Sequence, residues 1–438
     1  MFGWEFPPHI SGGLKTACFG LTKGLASFDD IDLTFVIPKV HGNEDKVDMK
    51  LIGASDIELP EKILLSYKEL ELEKLNEFNQ QISAFETPFQ FKKRLKEKQI
   101  NDAKTNNTSS SKLTFTGEYG TDLFKEISRY AVVASEIARV EDHDIIHAHD
   151  WLTYPAVIEA KKMSGKPLII HVHATEYDRS GENHNKQVYE IERQGMEFAD
   201  KVITVSDFTR NIVIEKYHIN PSKVVTVHNA VEPSHNYFFN TEDKSGTKDK
   251  VVTFLGRITW QKGPKYFIKA AYKVLKKMDN VRFVMSGTGD LMEGMIRYVA
   301  KLKISDKFHF TGFLKSDDVH RMYTMSDLYI MPSVSEPFGI SPLEALQSNV
   351  PVIISNQSGV SEVITNAVKV NFWDTDAIAD AIYGILNYSS LEKHLRINGK
   401  KEVDILRWMD VAARFKEIYY QVVYREANDI IKVINLMA

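Results

Sequence analysis

Two successive series of short apolar, β-branched runs, each run followed by a longer segment of helical period, restrict what this chain can fold into more than any other feature. A strand, a crossover helix and a second strand make a parallel pair, so the alternation predicts an α/β protein with two doubly wound parallel sheets. In the first series the pattern predicts strands near Leu33–Ile37, Asp144–Ala148, Pro167–His173, Lys201–Val205 and Val224–Val227. Helices are predicted near Lys15–Ala26, Asp122–Arg139 and Phe208–Tyr217, with Ser206 as the N-cap of the last. The second series predicts strands near Lys250–Leu255, Val281–Met285, Phe308–Thr311, Leu328–Met331, Pro351–Ile354 and Val368–Val370. The polar, aperiodic stretch Asn240–Asp249 between them reads as a linker. Two domains, residues 1–240 and 250–405, are therefore expected to face each other across a ligand cleft. Residues 42–113 lack clear alternation and include the polar run Asn101–Lys112, which reads as a partly mobile insertion.

Lys and Arg number 55 against 59 Asp and Glu, too even for the broad basic field that nonspecific nucleic-acid binding needs, so no nucleic-acid partner is expected. Cys18 is the one cysteine in 438 residues and cannot form an intramolecular bridge, which fits a reducing, cytoplasmic setting. The start Met1–Pro8 has neither a basic segment nor an apolar one. No window approaches the ~20 apolar residues of a membrane span, so a soluble protein without a transmembrane segment is expected.

Ligands of doubly wound sheets sit at the carboxyl ends of strands. The loop Gly256-Arg257-Ile258-Thr259-Trp260-Gln261-Lys262-Gly263 follows the first strand of the second series, and its two cations suit a diphosphate. The alternative is a pair of solvated surface charges. After the strand Leu328–Met331 comes Ser335-Glu336-Pro337-Phe338-Gly339-Ile340-Ser341-Pro342-Leu343-Glu344. Ser341, Pro342 and Glu344 predict a capping box at a helix start whose N–H groups can hold a phosphate without a metal ion, and Gly339 allows close approach of a ligand. Glu344 is then either a structural cap or an acceptor for ribose hydroxyls, and Glu336, between a strand end and a glycine turn, suits sugar hydroxyls. Ser286-Gly287-Thr288-Gly289-Asp290 reads as a tight strand-to-helix turn rather than a dinucleotide fingerprint. Ser11-Gly12-Gly13 is either a plain turn or backbone that packs on a phosphate or sugar from the opposite domain.

His147-Ala148-His149-Asp150 and His171-Val172-His173 lie at predicted strand ends, and the two histidines of each pair share a face. This raises a rival reading, a metal-dependent hydrolase, against one histidine of each pair packed in the core and the other lining the cleft. A noncatalytic nucleotide-sugar-binding protein is a third reading. Asp142-His143-Asp144 precedes a strand rather than ending one and reads as a solvated turn.

Taken in order, Trp4-Glu5-Phe6-Pro7-Pro8 with Ser11-Gly12-Gly13-Leu14, His147-Ala148-His149-Asp150-Trp151, Gly256-Arg257 with Lys262-Gly263, the Glu336-x7-Glu344 pair and Ser358-Gly359-Val360-Ser361-Glu362 resemble the retaining glycosyltransferases of the GT-B fold. The resemblance covers nearly the whole chain, and the start Trp4–Leu14 with His171–Arg179 is similar to bacterial glycogen and starch synthases. It implies two Rossmann-like domains and a C-terminal helix, residues 406–424, that returns to the first. It implies a nucleotide-sugar donor, UDP- or ADP-glucose, and an α-1,4-glucan acceptor, with another hydroxyl acceptor as the alternative and no metal or other cofactor. By the same resemblance Arg257 and Lys262 meet the diphosphate, Glu344 the ribose, and Glu336 with Phe338, Gly339, Ile340 and Ser341 the donor sugar and distal phosphate. Gly12 and Gly13 lie on the donor side, Gly312 and Phe313 at the base, His173 at the reacting sugar carbon and Asp150 on the acceptor side. Family members carry several more apolar residues before the stretch matching Met1–Trp4, and a small residue is common where this chain has Lys15.

Overall fold

The computed structural model describes residues 1–8, 13–67, 111–117, 119–120, 122–232 and 249–437. Strands covered on both faces read as near-continuous apolar runs. That is why β4 (Leu168–Val172), β10 (Leu328–Met331) and β11 (Val352–Ser355) are buried at every position. In the first domain β1 (Thr34–Ile37) pairs with β2 (Lys50–Gly53), while β3 (Ile146–His149), β4, β5 (Lys201–Thr204) and β6 (Val224–Thr226) form a second parallel group in that order. Phe2 joins the two groups, bridging Val36 on one side and Ala148 on the other. Its N–H donates to the His147 carbonyl at 2.7 Å and its carbonyl accepts from His149 N–H at 2.9 Å. Met1 and Gly3 add to the pairing, the Met1 carbonyl accepting from Val36 N–H at 2.8 Å and Gly3 N–H donating to the Val36 carbonyl at 2.9 Å.

The second domain is one six-stranded sheet, β7 (Lys250–Leu255), β8 (Val281–Ser286), β9 (Phe308–Gly312), β10, β11 and β12 (Val368–Val370), in the order β12-β11-β10-β7-β8-β9 with every pair parallel. The order reverses between β7 and β10. At such a switch point the loops leaving neighbouring strands diverge to opposite faces and open a crevice at their carboxyl ends.

Helices α1 (Gly13–Leu25), α2 (Leu123–Val140), α3 (Tyr154–Ser164), α4 (Glu176–Ser180), α5 (Lys186–Phe198) and α6 (Asp207–Tyr217) belong to the first domain. The second carries α7 (Pro264–Leu275), α8 (Met292–Lys301), α9 (Ser316–Met325), α10 (Ser341–Gln347), α11 (Val360–Val363), α12 (Thr375–Asn387) and α13 (Ser389–Val403). Helix α14 runs from Trp408 to Met437, well beyond the expected 406–424. Its buried Trp408, Ala412, Phe415 and Ile418, spaced to share one face, pack with Leu21 and Leu25 of α1 and with Ile169 and Ile203 of β4 and β5. Each large side chain buried there contributes about 1.5–3 kcal/mol, which ties the end of the chain to the first domain.

The expectation of an insertion over residues 42–113 fails in its first part. Lys50–Gly53 is β2, in register with β1, and residues 61–67 are helical. A four-residue strand with only its last two residues buried leaves no period to detect. Residues 101–110 of the polar run, and 240–248 of the linker, lie outside the described residues.

Candidate active site

The loops after β7 and β10 meet at the switch point through an ion pair. Lys262 Nζ lies 2.5 Å from Glu336 Oε2, with the two side chains 21% and 9% exposed. The same carboxylate oxygen accepts from the Ser333 hydroxyl at 3.0 Å. Gly263 makes the approach possible. Its φ is +66°, and a Cβ there would meet the Pro332 carbonyl oxygen, the residue just beyond β10, at 2.0 Å. Gly339, at φ +101°, turns the chain back over Met331 and the Glu336 side chain, each about 3 Å from where a Cβ would stand. Arg257 sits on the same β7 loop and is exposed. Phe338 is buried, whereas Ile340 and Ser341 are half-buried. Gly312 ends β9, where its carbonyl accepts from Gly287 N–H at 2.8 Å, and Phe313 beside it is 66% exposed.

The expected capping box does not form. Helix α10 begins at Ser341 with Ile340 in the cap position and no side-chain cap. The Tyr323 hydroxyl of α9 lies 3.1 Å from the Ser341 carbonyl and 3.4 Å from Glu344 Oε2, so the Glu344 carboxylate is drawn sideways to α9 instead of back along its own helix. Burial pushes the Glu344 carboxyl up, opposed by that hydroxyl. With no backbone cap to make, the carboxylate keeps acceptor capacity for a ligand.

Across the cleft, Asp150 follows β3 with φ +62°. Its Oδ1 accepts from the backbone N–H of His173 at 3.1 Å and of Ala174 at 3.4 Å, and Oδ2 lies 3.7 Å from the Arg179 guanidinium. Asp150 therefore shapes the turn that carries His173. Arg179 also lies 2.9 Å from Glu192 and 3.7 Å from Glu176. Gly12 is outside the described residues, and Gly13 is the first residue of α1.

The His-x-His pairs of β3 and β4, in register at His149 and His171, bring four imidazoles together. His149 Nδ1 is 3.0 Å from His173 Nε2, and His147 Nδ1 is 2.6 Å from the Tyr419 hydroxyl of α14. Among the described residues, His147 Nε2, His149 Nε2, both nitrogens of His171 and His173 Nδ1 are buried without a partner. Burial, then repulsion between neighbouring rings, holds His147, His149 and His171 far below the usual imidazole range. His173 is lowered by burial and raised back by Asp150. Neutral rings can ligate metal, and two triplets, Cys18-His149-His173 and His147-His149-His171, hold their candidate atoms within 4.8 Å of one another. Burial pushes the Cys18 thiol up, against the thiolate a metal prefers. Asp142 and Asp144 are exposed, in keeping with a solvated turn.

The domains touch through Ser335 and Pro337 on one side and Asp178 and Ser206 on the other. The Ser335 hydroxyl donates to Asp178 Oδ1 at 2.6 Å, and the Ser206 hydroxyl to the Pro337 carbonyl at 2.5 Å, so both neighbours of Glu336 are held by the first domain. A Cβ on Gly181, which closes α4, would stand 3.1 Å from the Trp260 ring, so the Lys262 turn packs beside the helix that follows His173. Thr175 and Asp178 form a capping box on α4, a pattern legible in the sequence; its use of Asp178 for the second domain is not.

Over 437 residues the chain is 26% identical to the uncharacterized glycosyltransferase MJ1607 of Methanocaldococcus jannaschii, covering 96% of this chain and 97% of that one. It is 23% identical to the glycogen synthase of Mycobacterium tuberculosis over 63% of this chain and 68% of the relative. Its fold is similar to sucrose-phosphate synthase from Thermosynechococcus elongatus, with a TM-score of 0.69, 17% identity and coverage of 95% and 94%. No helix among the described residues is long and apolar enough to cross a membrane. Residues 119–235 match Glycosyltransferase Family 4 and residues 239–402 match Glycosyl transferases group 1, so the chain carries a Family 4 N-terminal domain followed by a group 1 domain, on two doubly wound sheets with the GT-B glycosyltransferase fold.

Proposed function

We propose that this glycosyltransferase moves glucose from UDP- or ADP-glucose to the non-reducing end of an α-1,4-glucan, with retention of anomeric configuration and without a metal ion, in the cytoplasm. The Lys262–Glu336 pair at the switch point carries the reading. When a nucleotide sugar enters, the Lys262 ammonium turns to the diphosphate, and the freed Glu336 carboxylate accepts from the hydroxyls of the donor sugar. Arg257 on the same loop adds a second positive charge, and a preorganised cationic site of this kind stabilises a departing nucleoside diphosphate in the role a metal ion plays elsewhere. Glu344 accepts from the ribose hydroxyls, and Gly312 with Phe313 contacts the base. His173, set by Asp150, lies against the reacting sugar from the other side of the cleft.

The glucan acceptor is supported by the glycogen synthase relative and by the resemblance of Trp4–Leu14 and His171–Arg179 to such enzymes. The test begins with calorimetric titration of UDP-glucose and ADP-glucose into EDTA-treated protein whose metal content has been measured. A glycogen-primed assay for nucleotide release follows, with NMR of the new anomeric linkage. Metal-free binding and glycogen-dependent release of an α-linked product are expected. Binding without release on glycogen refutes the glucan acceptor, a stoichiometric metal required for turnover refutes the metal-free reading, and a β-linked product refutes retention.

A further inference from the structure

Glu362 belongs to the Ser358–Glu362 stretch that ends the family-like motifs, yet it lies on the second domain and its carboxylate is bound entirely to the first. Its Oε1 accepts from Phe208 N–H at 2.7 Å, and its Oε2 accepts from Asp207 N–H at 2.8 Å and stands 2.6 Å from His228 Nε2. Asp207 and Phe208 open helix α6, and the next donor, Thr209 N–H, is taken by Ser206 Oγ at 3.0 Å. The first N–H groups of a helix have no intrahelical acceptor and form its positive end, so a carboxylate there is bound by both hydrogen bonds and dipole. Here the opposite domain supplies it.

The contact is wired to Glu336. Residues 336–338 run beside 357–360: Glu336 N–H donates to the Gln357 carbonyl at 2.9 Å, Gly359 N–H to the Glu336 carbonyl at 3.0 Å, and Val360 N–H to the Phe338 carbonyl at 2.7 Å. Helix α11, which bears Glu362, continues directly from this ladder. The Pro337 carbonyl, next to Glu336, accepts from the buried hydroxyls of Ser206 at 2.5 Å and Thr209 at 3.3 Å, on the same helix start that Glu362 caps. One hydrogen-bonded unit thus joins the start of α6, Glu362 and the backbone of Glu336.

We propose that Glu362 is a positioning residue: its carboxylate latches the second domain onto the N-terminus of α6, and this closure fixes Glu336 in register with the first-domain half of the site. The proposal rests on the donor-site reading of Glu336 for its kinetic consequence, but the latch itself does not. Opening the latch leaves the switch-point crevice of the second domain intact, so nucleotide binding is spared while the closed, reactive arrangement becomes rarer.

The test uses the full chain and two variants. Glu362→Ala removes the carboxylate. Asp207→Pro removes one of its N–H donors at the first helical position, where proline is well tolerated, after a Ser206 already extended at φ −161°, ψ 163°. X-ray scattering of the unliganded proteins reads domain separation, titration with UDP and ADP reads the second domain, and steady-state kinetics with UDP-glucose or ADP-glucose reads turnover. Expected is an increased radius of gyration in both variants, nucleotide affinity within about twofold of wild type, and kcat lowered about 10-fold or more, the larger loss in Glu362→Ala. Unchanged scattering in both variants overturns the latch. Increased scattering dimensions with unchanged kcat overturn the link to Glu336. If wild type neither binds nucleotide nor turns over, the donor reading fails, and the scattering comparison still decides the latch. Should Glu362→Ala fail to fold, Asp207→Pro carries both tests.

Discussion

Removing the Lys262 amine separates the structural from the chemical role of the switch-point pair. In Lys262→Ala the Glu336 carboxylate stays buried, with the Ser333 hydroxyl at 3.0 Å as its remaining side-chain partner. Breaking a fully buried ion pair from one side costs about 3–5 kcal/mol. Lys262 is 21% exposed, so water reaches the vacated space and about 1–3 kcal/mol is the appropriate scale. For a domain of ~150–250 residues each kcal/mol moves the melting temperature by roughly 2–4 °C, so a drop of about 2–12 °C is expected. Loss of a preorganised donor facing developing negative charge costs about 2.7–4 kcal/mol in the transition state, or roughly 10²–10³ in kcat. The double variant Lys262→Ala, Glu336→Gln distinguishes the two effects. With no orphaned charge it regains thermal stability, while turnover stays low. Calorimetric melting and nucleotide-release kinetics on wild type and the two variants make the comparison. A kcat for Lys262→Ala within about threefold of wild type would refute the role of the amine, and a double variant no more stable than the single one would refute the energetic coupling.

Three further outcomes are expected. His147, His149 and His171 are buried bases held below their unfolded pKa, so the native state takes up fewer protons than the unfolded chain; the stability they permit is complete above about pH 6.5 and is lost as pH falls below it. Each costs ~1.4 kcal/mol per pH unit there, until the folded pKa is reached, and His171→Phe should make the acid limb of melting temperature against pH shallower by one proton; an unchanged slope excludes the neutral cluster. Asp150→Ala leaves the backbone N–H groups of His173 and Ala174 without their acceptor and should cost about 1–3 kcal/mol, whereas Asp150→Asn keeps an acceptor and most of the stability, with kcat reduced in both; equal melting temperatures for the two variants contradict the turn-shaping role. Arg257→Ala, on an exposed side chain, should shift stability by no more than about 0.5 kcal/mol while weakening nucleotide-sugar binding; unchanged affinity by titration removes Arg257 from the donor site.

Hydrophobic patterning located every strand but β2, because buried parallel strands are near-continuous apolar runs, and β7, β10 and β12 begin and end at the expected residues. Strand β2 escaped because four residues with two buried carry no period, and α14 runs past Val423 with an amphipathic pattern that has no stop signal of its own. Lys262 and Glu336 were legible as loop residues at strand ends, but their ion pair across 74 positions was not. The Ser341–Glu344 pattern was locally sound, and tertiary structure overrode it when Tyr323 drew Glu344 away from the helix end.

The sequence by itself determined the two doubly wound domains, the loops that bear chemistry and the identity of the charges on them, since these follow from local pattern and strand polarity. Only the tertiary structure decided which groups share a partner: Lys262 with Glu336, Asp150 with the His173 turn, Glu362 with the start of α6. Those pairings depend on strand order and domain approach, which bring together residues that no local pattern relates.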